Sequence, residues 1–314
     1  RTREEMKTRD LDAMLLFAPE SHYWLTGYDT FGFCFFQCLV LSMEGEPVLL
    51  TRSADLRQAQ FTSIIKDIRI WKDERGANPA TDLHALLKDM RLDGARLGVE
   101  YATQGLTAAN GKLIEDQIGG SATLIDASRL IENLRVVKSE AELAFVRKAA
   151  ELSDLALDAA VAATHAGASE GAILAAMQGT IFAEGGDYAG NEFIIGSGEG
   201  ALLCRYYSGR RQLDSDDQLT LEWSGAWRRY HAPMMNTLVI GKPRPEHLSM
   251  RKAAKEALQA CEAALKPGSP MANVFSEHAR ILDEYGLRKH RLNACGYSVG
   301  ARFTPCWMDS HMFF

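Results

Sequence analysis

The sequence predicts an α/β domain followed by an α+β domain, and three observations carry that expectation. Over about the first 130 residues, short apolar runs of strand length alternate with segments of helical spacing. Beyond them, two helix-like segments precede a group of strands, and two more helix-like segments follow. Between the two helix pairs lies QLTLEWSGAWRRYHAPMMNT, residues 218–237, which reads as a strand hairpin.

Residues 1–10 are charged and begin inside a helix-like pattern. Residues 11–17, LDAMLLF, form an apolar run suited to a buried strand. Residues 31–41 are nearly all apolar or aromatic, and residues 46–50 give a further strand after the Glu44-Gly45 turn. Together these read as a small sheet meander. Residues 54–62 and 80–90 have helical spacing, with Leu83, Leu86 and Leu87 on one face. Residues 97–100 read as a strand, 106–118 as a helix and 122–125 as the last strand of the domain. Ser139 followed by Glu142 is a capping box that opens a long alanine-rich helix over 140–164. A second helix starts near Ser169 and stops at Gly185-Gly186, and residues 193–198 are a strand running into a glycine turn. The last two helices cover 250–265, stopped by Lys266-Pro267-Gly268, and 272–285, stopped by Gly286.

Composition narrows the function classes. Hydrophobic content of 46% and charged content of 24% are ordinary for a globular protein. A net charge of −6, with Arg210-Arg211 and Arg228-Arg229 as the basic pairs, points to no nucleic acid and no anionic membrane surface. No apolar run reaches the roughly 18 residues of a spanning helix, and no signal peptide opens the chain. The six cysteines (Cys34, Cys38, Cys204, Cys261, Cys295 and Cys306) form no CxxC pair and read as buried thiols of a cytoplasmic protein.

Within the hairpin, Leu219, Leu221 and Trp223 alternate with Thr220, Glu222 and Ser224, and Gly225 is expected to break the run. A carboxylate in a central strand is costly unless it is paired, liganded or used, so Glu222 is the first candidate for chemistry. The alternative is that it points to solvent. His231 on the second arm is a candidate proton shuttle or a solvent-facing histidine. Tyr297, in Cys295-Gly296-Tyr297-Ser298-Val299-Gly300, is a candidate hydrogen-bond donor on a glycine turn.

The hairpin resembles the first metal-ligand hairpin of the pita-bread hydrolases: Xaa-Pro dipeptidases, aminopeptidase P, methionine aminopeptidase and creatinase. The resemblance covers essentially the whole chain. It implies a creatinase-like N-terminal α/β domain over 1–134 and an α+β pita-bread catalytic domain over 135–314, incomplete at its C-terminus. The junction is marked by Arg135-Val136-Val137-Lys138-Ser139-Glu140-Ala141-Glu142, similar to the family's K-S-x-x-E. In metal-using members the hairpin carries two aspartates eleven positions apart before an Arg-Thr pair. Asn236-Thr237 stands in that place here, which puts the aspartate positions on Glu222 and Pro233. The family's histidine ligand falls on Tyr297, and two glutamate ligands would follow residue 314. The resemblance with these replacements implies no metal and no cofactor.

Some members of the family work without metal, and this chain is similar to ectoine hydrolase and creatinase among them. The similarity rests on Trp24-Leu25-Thr26-Gly27-Tyr28-Asp29 with Gln37-Cys38 downstream, on Arg229-Tyr230-His231-Ala232-Pro233, and on Gly296-Tyr297-Ser298-Val299-Gly300. It implies a metal-independent hydrolase of a non-peptide C–N bond in a small, polar, nitrogen-rich substrate. Glu222 is then base or nucleophile, with His231 and Tyr297 assisting. Cys204 stands where the family has a histidine ahead of the hairpin. Beside Arg205 it is a second candidate nucleophile, or a small residue lining the pocket. Trp24, Tyr28, Asp29 and Arg205 are candidate substrate contacts, with Tyr28 or Asp29 reaching the site across a homodimer interface. Trp24 and Tyr28 equally suit core aromatics. The apolar stretch 31–36 also points to a homodimer. Two rivals stand beside this reading: an Xaa-Pro dipeptidase using two divalent ions, and a non-catalytic pita-bread module that binds protein.

Overall fold

The structure, a computed structural model, describes residues 1–203 and 209–309 and divides into two compact units, Arg1–Val137 and Lys138–Phe314. In the first unit six strands form one mixed sheet in the order β4-β3-β2-β1-β5-β6. β1 (Ala13–Leu16), β2 (Cys38–Ser42) and β3 (Val48–Thr51) are an antiparallel meander. β4 (Asp67–Ile70) runs parallel to β3, β5 (Arg96–Val99) parallel to β1, and β6 (Thr123–Asp126) parallel to β5. The helices are α1 (Thr2–Thr8), α2 (Pro19–Thr26), α3 (Leu56–Thr62), α4 (Pro79–Asp89), α5 (Ala108–Ile118) and α6 (Arg129–Val136).

Both faces of this sheet are covered. Leu15, Val40, Leu50 and Leu97 pack with Leu83 and Leu87 of α4 and Ile114 and Ile118 of α5. Met14, Leu16, Leu39 and Leu49 pack with Met6 of α1, Ala59 of α3, and Leu130 and Ile131 of α6. Helices cover both faces of the central strands, which therefore read as continuous apolar runs, while the edge strands β4 and β6 are partly exposed. Two expectations change. Of the apolar stretch 31–41 only its end is strand; Gly32–Cys34 is a helical turn that leaves Phe31 70% and Phe35 53% exposed. The unit division falls after Val137 rather than at 134, because α6 runs on to Val136.

In the second unit, α7 (Glu140–Ala163) and α8 (Glu170–Ala183) pack on a three-stranded antiparallel sheet of order β7-β8-β9. Its strands are β7 (Ile194–Ser197), β8 (Asp217–Trp227) and β9 (Tyr230–Ile240). α9 (Pro245–Ala264) and α10 (Met271–Glu284) pack on each other. The capping box is present: Ser139 Oγ accepts from the Glu142 N–H at 3.3 Å, and Glu142 Oε2 accepts from the Ser139 N–H at 2.8 Å.

One face of the sheet is the core. Leu219, Leu221 and Trp223 of β8 and Ile195 of β7 pack against Leu152 and Ala156 of α7 and Ile173, Met177 and Ile181 of α8. Trp223 is fully buried, and hiding about 200 Å² of indole surface is worth at most about 5 kcal/mol. Its Nε1 donates to the Ser153 carbonyl at 3.0 Å. Gly225 does not break β8, which continues to Trp227. The glycine is there because α7 comes so close: a Cβ at 225 would lie 2.7 Å from Ser153 N and 2.9 Å from Leu152 Cβ. The turn is made instead by Arg228 and Arg229, both left-handed at φ 50° and 65°, as a two-residue hairpin turn requires. Two such non-glycine residues cost about 1–2 kcal/mol each. Contacts offset this: the Arg229 N–H donates to Asp187 Oδ2 at 3.1 Å, the Arg302 N–H donates to the Arg229 carbonyl at 2.8 Å, and the Arg229 guanidinium lies 4.7 Å from the Phe303 ring centre.

Candidate active site

Strand register assembles the site. Glu222 pairs with Ile194 of β7 and Met235 of β9, Ser224 pairs with Pro233, and Ala226 with His231. Directly paired residues share a face, so Glu222, Pro233, Met235 and His231 all lie opposite the Trp223 face that packs on α7 and α8. This face is open at one end and closed at the other. Met235 is 61% exposed and Glu222 half-buried, whereas Ser224, Ala226 and His231 are buried.

Tyr297 arrives from the chain beyond α10 and comes within electrostatic reach of Glu222. Burial pushes its phenol above the usual value. The Trp307 indole N–H, donating to the phenol oxygen at 3.2 Å, pulls it down, and the Glu222 carboxylate and Cys306 thiol push it up again. Tyr297 therefore keeps its proton through the neutral range. The carboxylate thus acts on the phenol electrostatically, and Ile194 and Met235 flank the carboxylate in the strand register.

His231 is not the expected shuttle, nor does it face solvent. It is fully buried, and its Nε2 accepts the Gly190 N–H at 2.8 Å. Nδ1 has no partner at hydrogen-bonding geometry, although the Gly300 and Arg229 backbones lie beside it. Burial lowers its pKa to about 4; those backbone groups oppose the shift, and the positive Arg229 and Arg302 add to it. The ring is thus neutral and tied to the chain. Its partner Ala226 lies four residues along β8 from Glu222 (226 − 222 = 4), about 13 Å at about 3.3 Å per residue.

Tyr28 is also corrected, to a core residue of the first unit. It is fully buried, its OH donates to Gln37 Oε1 at 3.1 Å, and its ring stacks 6.1 Å from His22, so it has no surface for a substrate. Trp24 is half-buried with the Arg1 guanidinium 5.7 Å from its ring centre. Asp29 is half-exposed, its N–H donating to Thr62 Oγ1 at 3.1 Å. Cys204 and Arg205 lie outside the described residues.

A model of metallopeptidase family M24 matches residues 144–310, more than half of the chain, and a model of the creatinase/prolidase N-terminal domain matches residues 1–137. The chain belongs to metallopeptidase family M24. Its M24 relatives include the ectoine hydrolase of Halomonas elongata, 25% identical over 332 residues that cover 99% of this chain and 82% of that protein. An uncharacterized hydrolase/peptidase of Sinorhizobium fredii is 26% identical over 318 residues, covering 98% of this chain and 80% of that one. The prolidase structure from Thermococcus sibiricus shares the fold, with a TM-score of 0.85 at 20% identity over 98% of this chain and 83% of that one. The chain is a hydrolase of the M24 family. No helix among the described residues is long and apolar enough to cross a membrane.

The M24 name raises the question of a metal centre, and the donor chemistry answers it for the three positions that the resemblance assigns. Register puts Glu222 and Pro233 on one face of the hairpin, with Tyr297 within electrostatic reach of Glu222. Glu222 offers one carboxylate, Pro233 offers no donor atom, and Tyr297 holds its proton. Hard divalent ions need several anionic oxygen or imidazole donors. Among the described residues no group of three or more His, Cys, Asp or Glu is arranged to hold a metal ion. These residues do not fit a two-ion centre.

Sequence reasoning missed Trp307, which carries the Tyr297 phenol, and the buried trio Lys138, Ser298 and Asp309 beneath it. Lys138 had a signal in the K-S-x-x-E junction motif. Trp307 and Asp309 sit in irregular chain, where no periodicity marks an inward side chain.

Proposed function

We propose that this M24 hydrolase cleaves a non-peptide C–N bond in a small, polar, nitrogen-rich molecule without a metal ion. The carrying observation is a Glu222 carboxylate within electrostatic reach of a protonated Tyr297, on a strand face where Pro233 offers no donor. Glu222 serves as general base toward water, or attacks as nucleophile, and its half-buried position keeps it partly desolvated. The Tyr297 hydroxyl donates a hydrogen bond to the charge that develops on the reacting group. The ectoine hydrolase relative, matched along 99% of this chain and 82% of its own length, supports this choice of bond.

A homodimer in the cytoplasm is part of the proposal. Phe31 and Phe35, more than half exposed on one turn, support a second copy covering them. A monomeric mass by sedimentation at micromolar concentration removes that part. The reaction itself is tested by a turnover screen of ectoine, hydroxyectoine, creatine and Xaa-Pro dipeptides. Cleavage of the dipeptides alone overturns the proposal.

A further inference from the structure

We propose that Lys138 and Asp309 are positioning residues whose buried ion pair holds Tyr297 in place beside Glu222. The inference rests on the reading of Tyr297 as the hydrogen-bond donor of the site.

Residues 297–309 contain no helix or strand of their own, yet they must present a phenol at a fixed height. The segment is closed into a ring. The Asp309 N–H donates to the Ser298 carbonyl at 2.9 Å, which joins its two ends. Lys138 Nζ donates to Ser298 Oγ at 2.8 Å and lies 3.5 Å from Asp309 Oδ2. The Lys138 and Asp309 side chains are 10% and 2% exposed. The Asp309 carboxylate also lies against Gly300, where any Cβ would collide with it. Tyr297 directly precedes Ser298, Trp307 comes two residues before Asp309, and the two rings are hydrogen-bonded at 3.2 Å. The phenol and its indole partner therefore both ride on the ring that Lys138 closes.

The same short motif grips the hairpin. Glu142, in the first turn of α7, accepts from the Tyr230 OH at 2.9 Å through Oε1. Tyr230 opens β9 and forms an isolated bridge with Ala301. Lys138 and Glu142 thus hold the Tyr297 ring and the Glu222 hairpin from one helix start. A buried ion pair returns little net stability, because desolvation consumes most of the attraction. What it supplies is a fixed geometry, and here that geometry belongs to the site.

The test uses the full chain with Lys138→Met, and with Lys138→Met combined with Asp309→Leu, which removes both members of the pair together if the single variant fails to fold. Hydrogen exchange of the Trp307 indole N–H, read by NMR, reports the ring independently of activity. Both variants should unfold cooperatively and exchange that proton at least tenfold faster than the parent. On a substrate that the parent turns over, kcat should fall at least tenfold with KM within twofold, and Lys138→Arg should recover part of the loss. Unchanged indole exchange in the folded double variant overturns the proposal, as does unchanged kcat alongside faster exchange. A parent without turnover overturns the reading of Tyr297 instead, and the exchange comparison then decides the latch by itself.

Discussion

Ser153→Ala should destabilise the second unit more than an ordinary serine truncation. The Ser153 hydroxyl sits at the Gly225–Ala232 pair, accepting the Gly225 N–H at 2.6 Å and donating to the Ala232 carbonyl at 2.5 Å. Gly225 is buried and α7 presses on it. The hydroxyl bridges a directly paired couple of β8 and β9, and two lost hydrogen bonds at about 0.5–1.5 kcal/mol each should cost the variant about 1–3 kcal/mol. Ser139→Ala, which removes the N-cap of the same helix, is the matched control at about 1 kcal/mol. Guanidinium unfolding should follow the transition of the second unit separately, since two compact units need not unfold together. A Ser153→Ala cost no larger than that of Ser139→Ala would refute the reasoning.

Three further outcomes follow from the same structure. Gly225→Ala should cost about 1–3 kcal/mol or more, because the new methyl meets helix backbone rather than a flexible side chain; a midpoint equal to the parent's contradicts the close approach. The second unit should weaken as pH falls from about 6.5 toward 4. Unfolded His231 takes up a proton at the ordinary histidine value of 6.5 and folded His231 only at about 4, so the stability present above 6.5 is lost through that window, by about 3 kcal/mol at most. His231→Gln should flatten that acid limb in unfolding midpoints measured across the range. Tyr297→Phe keeps the ring but removes the donor, and should lower kcat by about 10²-fold with a stability change near 1 kcal/mol; steady-state kinetics that match the parent's would remove Tyr297 from the chemistry.

Much of the fold is legible in the sequence because the signals are local. The capping box at Ser139 and Glu142, the alternation of Leu219, Leu221 and Trp223, and the glycines that stop the helices each act within a few residues. α2 escapes because its pattern is inverted, with Glu20, Ser21 and His22 buried. Gly225 misleads because its reason is a helix 72 residues earlier rather than a turn (225 − 153 = 72). At the site, Glu222 and Tyr297 can be found from residue type and setting. The neutrality of His231 cannot, since it comes from burial under Gly190 and the chain near Gly300. The Lys138–Asp309 pair spans 171 residues, beyond any local pattern (309 − 138 = 171).

The central claim is that Glu222 acts in hydrolysis without a metal ion, and one measurement addresses it directly. The parent and Glu222→Gln are compared on a non-peptide C–N substrate, each after exhaustive chelation and after addition of divalent ions. Parent turnover should be changed by neither treatment, and Glu222→Gln should lose about 10²–10⁴-fold. Turnover abolished by chelator and restored by divalent ion would contradict it.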